Sequence, residues 1–192
     1  MGIRIWRSTI LSPVAGKFCS SLNPPVTQEP LCWIQIQGNH DSWIASVYRA
    51  ICSIRWMYWT DWGSSPKIER ASMDGTHRTV LHSTDLVWPN ALTIDYETQT
   101  LYWMDASLNR LESSRTNGSE RRHYSNTQPF IHHPFSLVFF QGNLFWSDWQ
   151  LKAILGTSVD SNFAQINVLL SDLTLDPMGL TAACAERQQD SK

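Results

Sequence analysis

The stretch that decides the fold is Met57–Gly63, which reads MYWTDWG. It returns as Leu101–Ala106 (LYWMDA) and again as Leu144–Trp149 (LFWSDW). The central tryptophans, Trp59, Trp103 and Trp146, are therefore 44 and 43 residues apart. The turn dipeptides Asp74-Gly75 and Asn117-Gly118 follow the first two copies 43 residues apart, and Pro89, Pro134 and Pro177 follow the three copies in nearly the same phase. A constant period of this length predicts a repeat architecture.

Each repeat has the pattern of four short strands. Leu101–Asp105 is a five-residue run of aromatic and aliphatic residues that ends in a turn-forming aspartate, and Ala91–Asp95 is a similar run just before it. Such runs are too short for helices and favour buried strands. Asn117-Gly118 marks a hairpin, since both turn residues need positive φ. Four antiparallel strands in about 43 residues are typical of a propeller blade.

These motifs resemble the class B repeat of the low-density lipoprotein receptor family. The resemblance is carried by the Tyr58–Asp61 phrase, by Lys67–Gly75 (KIERASMDG) and by Trp88–Asp95 (WPNALTID), and it extends over roughly Tyr48 to Gln188. In that family the repeats form a six-bladed propeller of a cell-surface ectodomain, usually followed by an epidermal-growth-factor-like module. The resemblance therefore implies an all-β fold and a receptor role.

We expect a partial six-bladed propeller of about three blades plus one closing strand, a C-terminal fragment of one propeller. Complete blades are expected at Pro89–Ser125 and Pro134–Leu170, and the second of these has lost its Asp-Gly turn. The expected divisions are an irregular, non-family segment at 1–47, a partial propeller at 48–183 with repeats at about 57–99, 100–143 and 144–183, and a tail at 184–192. The junction near Tyr48 suggests an unrelated leader joined to a truncated repeat.

Charge and the length of apolar runs argue against a nucleic-acid-binding protein and against a membrane span in this sequence. The 192 residues carry a net charge of −2 with no basic block, which argues against nucleic-acid binding. No run approaches the ~18 apolar residues of a membrane span, and the N-terminus is a poor signal peptide. The location of this chain is therefore open, although the resemblance implies the extracellular side of the plasma membrane. The pairing of the four cysteines, Cys19, Cys32, Cys52 and Cys184, also stays open.

Catalysis has no support in the sequence. Asp61, Asp105 and Asp148 recur in phase, but equivalent residues of different blades do not converge as catalytic carboxylates would. His123, His132 and His133 lack the further ligand that zinc requires. We expect no enzyme activity, no metal and no cofactor. The residues expected to have structural roles in the repeats are Tyr58, Trp59, Asp61, Tyr102, Trp103, Asp105, Phe145, Trp146 and Asp148. Glu69 and Arg70 are expected on solvated strand faces.

Asn117-Gly118-Ser119 is an N-glycosylation acceptor tripeptide in a predicted turn. The asparagine is equally explained by the turn itself, so both interpretations stay open.

The strongest functional signal lies in the loops that lead into each first strand. By position, the resemblance implies that Asn90 contacts a protein ligand and that large apolar side chains surround it on the top face of the propeller. One oriented amide among rigid aromatics suits a binding hot spot. The expected ligand-binding residues are Trp62, Trp88, Asn90, His133, Phe135, Trp149 and Met178.

Three functions remain open at this point. The first is a segment of a receptor-related protein that binds extracellular protein or peptide ligands, in endocytic uptake or Wnt-type co-receptor signalling. The second is a truncated product with only a structural role or none. The third and most distant is a propeller enzyme. Three blades of six would leave apolar faces uncovered, so self-association to complete the propeller is also expected.

Overall fold

The computed structural model describes residues 2–6, 46–48 and 56–183, and these form strands and one short 3-10 helix. Sheet 1 contains β2 (Ser46–Tyr48), β3 (Trp56–Asp61), β4 (Lys67–Ser72) and β5 (Thr79–His82). Sheet 2 contains β6 (Pro89–Asp95), β7 (Thr100–Asp105), β8 (Arg110–Arg115) and β9 (Arg122–His123). Sheet 3 contains β10 (Pro134–Phe140), β11 (Asn143–Asp148), β12 (Ala153–Ser158) and β13 (Ile166–Leu170).

Two further strands, β1 (Gly2–Trp6) and β14 (Gly179–Ala183), pair with each other in antiparallel fashion. The 3-10 helix, Ser125–Phe130, links sheet 2 to sheet 3. No helix in the described parts of the chain is long and apolar enough to cross a membrane. The all-β fold that the sequence predicts is therefore confirmed.

The sequence repeat is accompanied by a repeat in strand pairing, because equivalent residues of sheets 2 and 3 have the same register. Trp103 of β7 lies opposite Leu92 and Glu112, and Trp146 of β11 lies opposite Leu137 and Leu155. Sheets 2 and 3 each contain a register shift just after the proline that opens the first strand. The four-stranded units expected at Pro89–Ser125 and Pro134–Leu170 are present as sheets 2 and 3.

The sheets pack face to face in chain order. The first strands stack in series, since β2 contacts β6, β6 contacts β10, and β10 contacts β14. The layer between sheets 1 and 2 contains Tyr58, Ile68, Leu92, Leu101 and Trp103. The layer between sheets 2 and 3 contains Tyr102, Met104, Leu137, Leu144 and Trp146. Because side chains alternate along a strand, each sheet faces the preceding sheet with one set of residues and the following sheet with the other.

Two described strands fall in or beside the interval expected to be irregular. β1 lies inside 1–47, and β2 crosses the expected boundary at residue 48. The rest of that interval, the tail at 184–192 and all four cysteines lie outside the described residues.

An arginine–glutamate ion pair recurs in the first two sheets, and in sheet 2 it also binds the preceding sheet. Arg121 donates to both carboxylate oxygens of Glu112, at 2.7 and 3.0 Å, and its guanidinium lies 5.5 Å from the ring centre of Trp103. The same guanidinium donates to the carbonyl oxygens of Thr84, at 2.7 Å, and Asp85, at 3.1 Å. Since these carbonyls belong to the loop that follows β5, Arg121 ties sheet 2 to the outer end of sheet 1.

Sheet 1 carries the same group, and its carboxylate corrects an expectation. Arg78 donates to Glu69 through Nε and Nη2, at 3.0 and 2.7 Å. Only 3% of Glu69 is exposed, so its expected place on a solvated face is wrong. Burial of a carboxylate is tolerated here because the bidentate pair satisfies both oxygens. Arg70 stacks over Trp56 at 4.4 Å and donates to the carbonyl of Thr116 in sheet 2, so it is half-buried rather than free in solvent.

A buried histidine lies in the layer between sheets 1 and 2. His82 stacks on Trp103 with 4.9 Å between ring centres, and its Nε2 lies 3.0 Å from the Ser114 hydroxyl. Burial lowers the pKa of His82 to about 4, and the positive charge of Arg121 adds to this effect. The imidazole is therefore neutral in the folded protein at neutral pH.

We predict that His82 makes the fold sensitive to acid. Unfolded, the imidazole takes up a proton below pH ~6.5, whereas the folded protein resists protonation down to about pH 4. The unfolded state then binds more protons in this window, so stability is lost as the pH falls from 6.5 to 4. Urea unfolding should show that the free energy of unfolding falls between pH 7.5 and pH 4.5, with on the order of 2–3 kcal/mol of the loss attributable to His82. His82→Gln, which can still bond Ser114, should lose less stability over the same interval; an equal loss in both proteins would contradict the assignment.

Candidate functional site

The upper face of the molecule is the end of the sheets at which each second strand terminates in aspartate. Asp105 is fully buried there and accepts backbone hydrogen bonds on two sides. One side is the loop before β6, with Val87 N at 2.7 Å and Trp88 N at 3.1 Å. The other is the turn after β7, with Ser107 N and Leu108 N both at 3.0 Å. One carboxylate therefore fixes both loops of sheet 2 at this face.

Asp148 repeats the arrangement in sheet 3. It accepts from His132 N and His133 N at 2.9 Å, and from Leu151 N at 3.0 Å. Asp61 of sheet 1 is half-buried and accepts from Gly63 N at 3.1 Å. The phased aspartates thus bind backbone within their own sheets. Their carboxylates hold the backbone of Trp88 and His133 in place.

We predict that removal of a buried aspartate costs far more stability than removal of the half-buried one. Asp105→Ala leaves four backbone donors without their acceptor, which should lower the free energy of unfolding by about 2–4 kcal/mol. Asp61→Ala, the matched control from sheet 1, should cost about 1 kcal/mol or less. Urea denaturation monitored by tryptophan fluorescence measures both. Equal losses would show that the backbone bonds of Asp105 do not support the upper face.

The side chains held in this way form a continuous row across the upper face. The ring centres of Trp62 and Trp88 are 6.4 Å apart, and those of Trp88 and His133 are 6.2 Å apart, both edge to face. His133 stacks on Trp149 at 5.2 Å, and Trp149 stacks on Phe135 at 4.6 Å. We call these five residues the aromatic row. It crosses all three sheets, and Trp88 near its centre is 42% exposed.

Hydrogen bonds fix the row to the neighbouring loops. The Asn90 side-chain nitrogen donates to the carbonyl of Pro134 at 3.2 Å, from the first strand of sheet 2 to the first strand of sheet 3. The indole nitrogen of Trp149 donates to the carbonyl of Pro177 at 3.1 Å. Met178 is half-buried and follows Pro177 directly, just before β14. Five of the seven expected binding residues thus contact one another as the row, and Asn90 and Met178 lie at loops bonded to or next to it.

The residues assigned to the repeat core divide according to their position in the stack. Tyr58, Tyr102, Trp103 and Trp146 are buried between described sheets. Trp59 and Phe145 are only half-buried, because they point away from sheet 2 on the outer faces of sheets 1 and 3. These repeat residues are therefore buried wherever they face another described four-stranded sheet.

One positioning residue has no signal in the sequence pattern. Asn109, in the turn after β7, has its amide nitrogen 3.0 Å from the carbonyl of Ala106 and 3.1 Å from that of His132, in the orientation that satisfies both. It therefore links the turn of sheet 2 to the loop that carries His133. The corresponding positions of the other repeats hold other residue types, so the spacing that identified the aspartates gave no indication of Asn109.

The described residues contain no group of three histidine, cysteine, aspartate or glutamate side chains close enough to hold a metal ion. His132 and His133 are adjacent and have their backbone nitrogens on Asp148. What the upper face offers chemically is apolar and aromatic surface with a few oriented amide and carbonyl groups.

The family model for the low-density lipoprotein receptor repeat class B matches residues 55–96. This interval covers β3, β4, β5 and β6, and so one period of the repeat. Residues 55–96 thus match one class B repeat of the low-density lipoprotein receptor family. The resemblance on which the sequence analysis relied is thereby confirmed.

The curated proteins to which this chain is similar are receptors. It is 40% identical over 98 residues to the vitellogenin receptor Yl of Drosophila melanogaster and 43% identical over 98 residues to the vitellogenin receptor of Solenopsis invicta. It is 44% identical over 94 residues to the human low-density lipoprotein receptor-related protein 5. The aligned part is about half of this chain but only 5 or 6% of these relatives.

Solved structures agree on the fold. The nidogen/laminin complex contains a chain that matches 65% of this chain with a TM-score of 0.56 and 27% identity, and the match covers 46% of that other chain. A gluconolactonase from Xanthomonas campestris matches 76% of this chain with a TM-score of 0.52, covering 53% of the enzyme, but at 13% identity it is similar in fold alone. The family matches are receptor repeats and not enzymes.

Proposed function

We propose that this chain is the protein-binding segment of a low-density lipoprotein receptor-related cell-surface receptor, and that the aromatic row with Asn90 and Met178 is its contact surface. The observation that carries the proposal is the continuity of the row, with successive ring centres 4.6 to 6.4 Å apart across three sheets. An extended, rigid surface of this kind fits a protein loop or peptide better than a small molecule, which needs an enclosed pocket.

Rigidity is the property that makes the row suited to binding. Tryptophan, tyrosine and phenylalanine offer a large contact area with few rotatable bonds, so little conformational entropy is lost when they bind. Here the backbone of Trp88 and His133 is also fixed by buried carboxylates before any ligand arrives. A preorganised surface of this kind gains affinity by avoiding the cost of ordering.

Asn90 supplies one oriented polar group beside the row. Its amide nitrogen is engaged by the carbonyl of Pro134, so the oxygen of the amide is the atom that would accept a hydrogen bond from a ligand N–H. With the amide held by Pro134, that oxygen has a fixed direction. It would therefore select a ligand backbone or side-chain amide at one position.

The biological setting follows the receptor relatives as part of the same proposal. The parent protein acts on the extracellular side of the plasma membrane, in endocytic uptake or Wnt-type co-receptor signalling, and its ligands are extracellular proteins. Two alternatives make different predictions. A truncated product without independent function would bind no ligand through the row, and a propeller enzyme would turn over a substrate at convergent polar groups rather than bind one on aromatic rings.

We predict that peptides selected for binding to this chain depend on the centre of the row. The probe is a phage-displayed library of disulfide-closed random peptides, selected against the purified chain. Trp88→Ala should weaken the selected peptides by about 2 kcal/mol or more, and Asn90→Ala by about 1–3 kcal/mol. Isothermal titration calorimetry with the synthetic peptides gives both values.

The control is Val80→Ala, which removes an apolar side chain that is 48% exposed on the outer strand of sheet 1. Because Val80 lies away from the row, this change should leave peptide affinity unaltered. Selected peptides that bind the Trp88 and Asn90 variants as tightly as the wild type would refute the upper face as the contact surface.

We further propose that Asn117 is an N-glycosylation site on the lower face, the end of the sheets opposite the row. Its side chain is exposed in the turn after β8, next to Gly118 at φ 89°. The Ser119 backbone nitrogen and hydroxyl both donate to the Asn117 carbonyl oxygen, at 2.9 and 2.7 Å, which leaves the amide nitrogen free of described partners. A glycan at this end would not cover the aromatic row.

We predict that the chain gains one glycan when a cleavable signal peptide directs it into the secretory pathway of cultured cells. Treatment with peptide N-glycosidase should then increase its mobility on denaturing gels. Asn117→Gln and Ser119→Ala should each abolish the shift, while Ser119→Thr should keep it, since threonine also completes the acceptor tripeptide. A wild-type chain that is secreted without a shift would reject the site.

A further inference from the structure

The contact between sheets 1 and 2 shows one way in which neighbouring sheets are joined, through a glutamate opposite Trp103; sheet 3 has Leu155 at the place opposite Trp146 and lacks this group. Arg121 of sheet 2 binds its own Glu112 and also reaches two carbonyl oxygens, those of Thr84 and Asp85, in the loop that follows the outer strand of sheet 1. With these contacts made, 22% of the Arg121 side chain is exposed. The joint thus consists of a guanidinium on one sheet and a carbonyl pair on the sheet before it.

The outer face of sheet 1 carries the guanidinium half of such a joint without the carbonyl half. Arg78 binds Glu69 with the same geometry and lies 5.4 Å from the ring centre of Trp59, as Arg121 lies over Trp103. No described residue offers carbonyl oxygens to Arg78, and 60% of its side chain is exposed. The free donors of Arg78 could therefore bind carbonyl oxygens at the end of another sheet, as those of Arg121 do.

The outer face of sheet 3 carries the carbonyl half. Ser171 and Asp172 follow the outer strand β13 as Thr84 and Asp85 follow β5, and both are exposed. Asp172 has φ 56°, close to the 51° of Asp85, so the two loops turn in the same way. No described residue donates to the carbonyl oxygens of Ser171 and Asp172.

A second pair of complementary features lies on the same two faces. Sheet 3 has a cleft of about 150 Å³ lined by Phe145, Gly156 and Leu169 among others, and a Cβ on Gly156 would lie 2.8 Å from the Phe145 ring. Only glycine therefore allows the ring to lie over β12. The equivalent face of sheet 1 is the one that packs on sheet 2. There Arg70 lies opposite Tyr58, as Gly156 lies opposite Phe145, and its guanidinium binds the carbonyl of Thr116 in a turn of sheet 2.

The turn of sheet 1 that corresponds to Thr116 begins with Met73. Both turns are closed by the same two backbone hydrogen bonds of 2.8 Å, from Ser72 N to Thr76 O and Gly75 N to Ser72 O in sheet 1, and at the equivalent positions in sheet 2. Met73 is 37% exposed and Leu169 is 41% exposed. A methionine at this place is an apolar side chain of suitable length to enter the cleft beside Phe145.

We propose that two copies of this chain associate head to tail, with the outer face of sheet 1 in one copy packed on the outer face of sheet 3 in the other. In each contact Arg78 binds the carbonyl oxygens of Ser171 and Asp172, and Met73 enters the cleft formed by Phe145, Gly156 and Leu169. The occupant is a second copy because this one chain presents both halves of the joint. Charge favours the same pairing, since Arg78 meets a loop that carries Asp172.

Two such contacts, related by a twofold axis, close the assembly into a ring and leave neither face open. β14 already packs on β10 as β10 packs on β6, so it takes the place of the first strand of the sheet that follows sheet 3. Strands β3, β4 and β5 of the second copy then supply its remaining strands. In the ring β14 pairs with β3 of the second copy, so the three residue pairs of β2 with β3 and the five of β1 with β14 are exchanged for this pairing.

The test introduces opposite charges on the two sides of the apolar contact, at Met73 and Leu169. The association of the full chain is measured by sedimentation velocity over a range of concentrations. The wild type should form a dimer. Met73→Lys and Leu169→Asp should each weaken the dimer about tenfold or more, because each places one charge in an apolar contact. The double variant should recover most of the loss, since the new lysine of one copy meets the new aspartate of the other.

Asp172 provides an independent pair of variants that leave the apolar contact intact. Asp172→Pro removes the positive φ that aims the carbonyl oxygens and should weaken the dimer strongly, whereas Asp172→Gly keeps that conformation available and should weaken it less, through loss of the carboxylate charge alone. Circular dichroism and thermal melting confirm that each variant is folded. A monomeric wild type overturns the proposal, as does association that none of these variants weakens. Single variants that weaken the dimer without recovery in the double variant exclude the head-to-tail contact.

Discussion

The upper face depends on a buried carboxylate that accepts several backbone hydrogen bonds at once. Asp105 takes four such bonds and Asp148 takes three, from loops that are far apart in sequence but meet at the end of one strand. A buried charge is costly unless it is fully bonded, so the geometry of these loops is fixed by the need to satisfy it. The aromatic side chains that follow are therefore presented by a rigid backbone.

The same principle governs the contacts between sheets. Glu69 and Glu112 are almost fully buried and are tolerated because an arginine binds both oxygens of each. In sheet 2 the arginine uses its remaining donors to bind the preceding sheet, so one side chain neutralises a carboxylate and sets the spacing between sheets. Register within a sheet comes from apolar alternation, whereas the placement of sheet 2 on sheet 1 also depends on this charged group.

The period of the tryptophans and the Asn-Gly turn was sufficient to predict the all-β fold, the four-stranded units and their order, because these depend on local pattern. The resemblance to the class B repeat implied that Trp62, Trp88, His133, Trp149 and Phe135 share one face, and in the structure these residues do lie side by side. The buried state of Glu69 did not follow, because it depends on Arg78 nine residues further along the chain. The links made by Asn109 and by Arg121 are tertiary contacts with no periodic signal.

Each described sheet packs only against its immediate neighbours, and this has a consequence for local unfolding. Within a single copy, which is a linear array, stability is close to a sum of nearest-neighbour terms, so the units at the ends open more readily than the unit in the middle. Sheet 2 is the described sheet with a four-stranded neighbour on each face. Its amide hydrogens should exchange most slowly, and protection should decline toward β13 on one side and β5 on the other. Trp88, whose backbone is held by Asp105, therefore belongs to the sheet that opens least often.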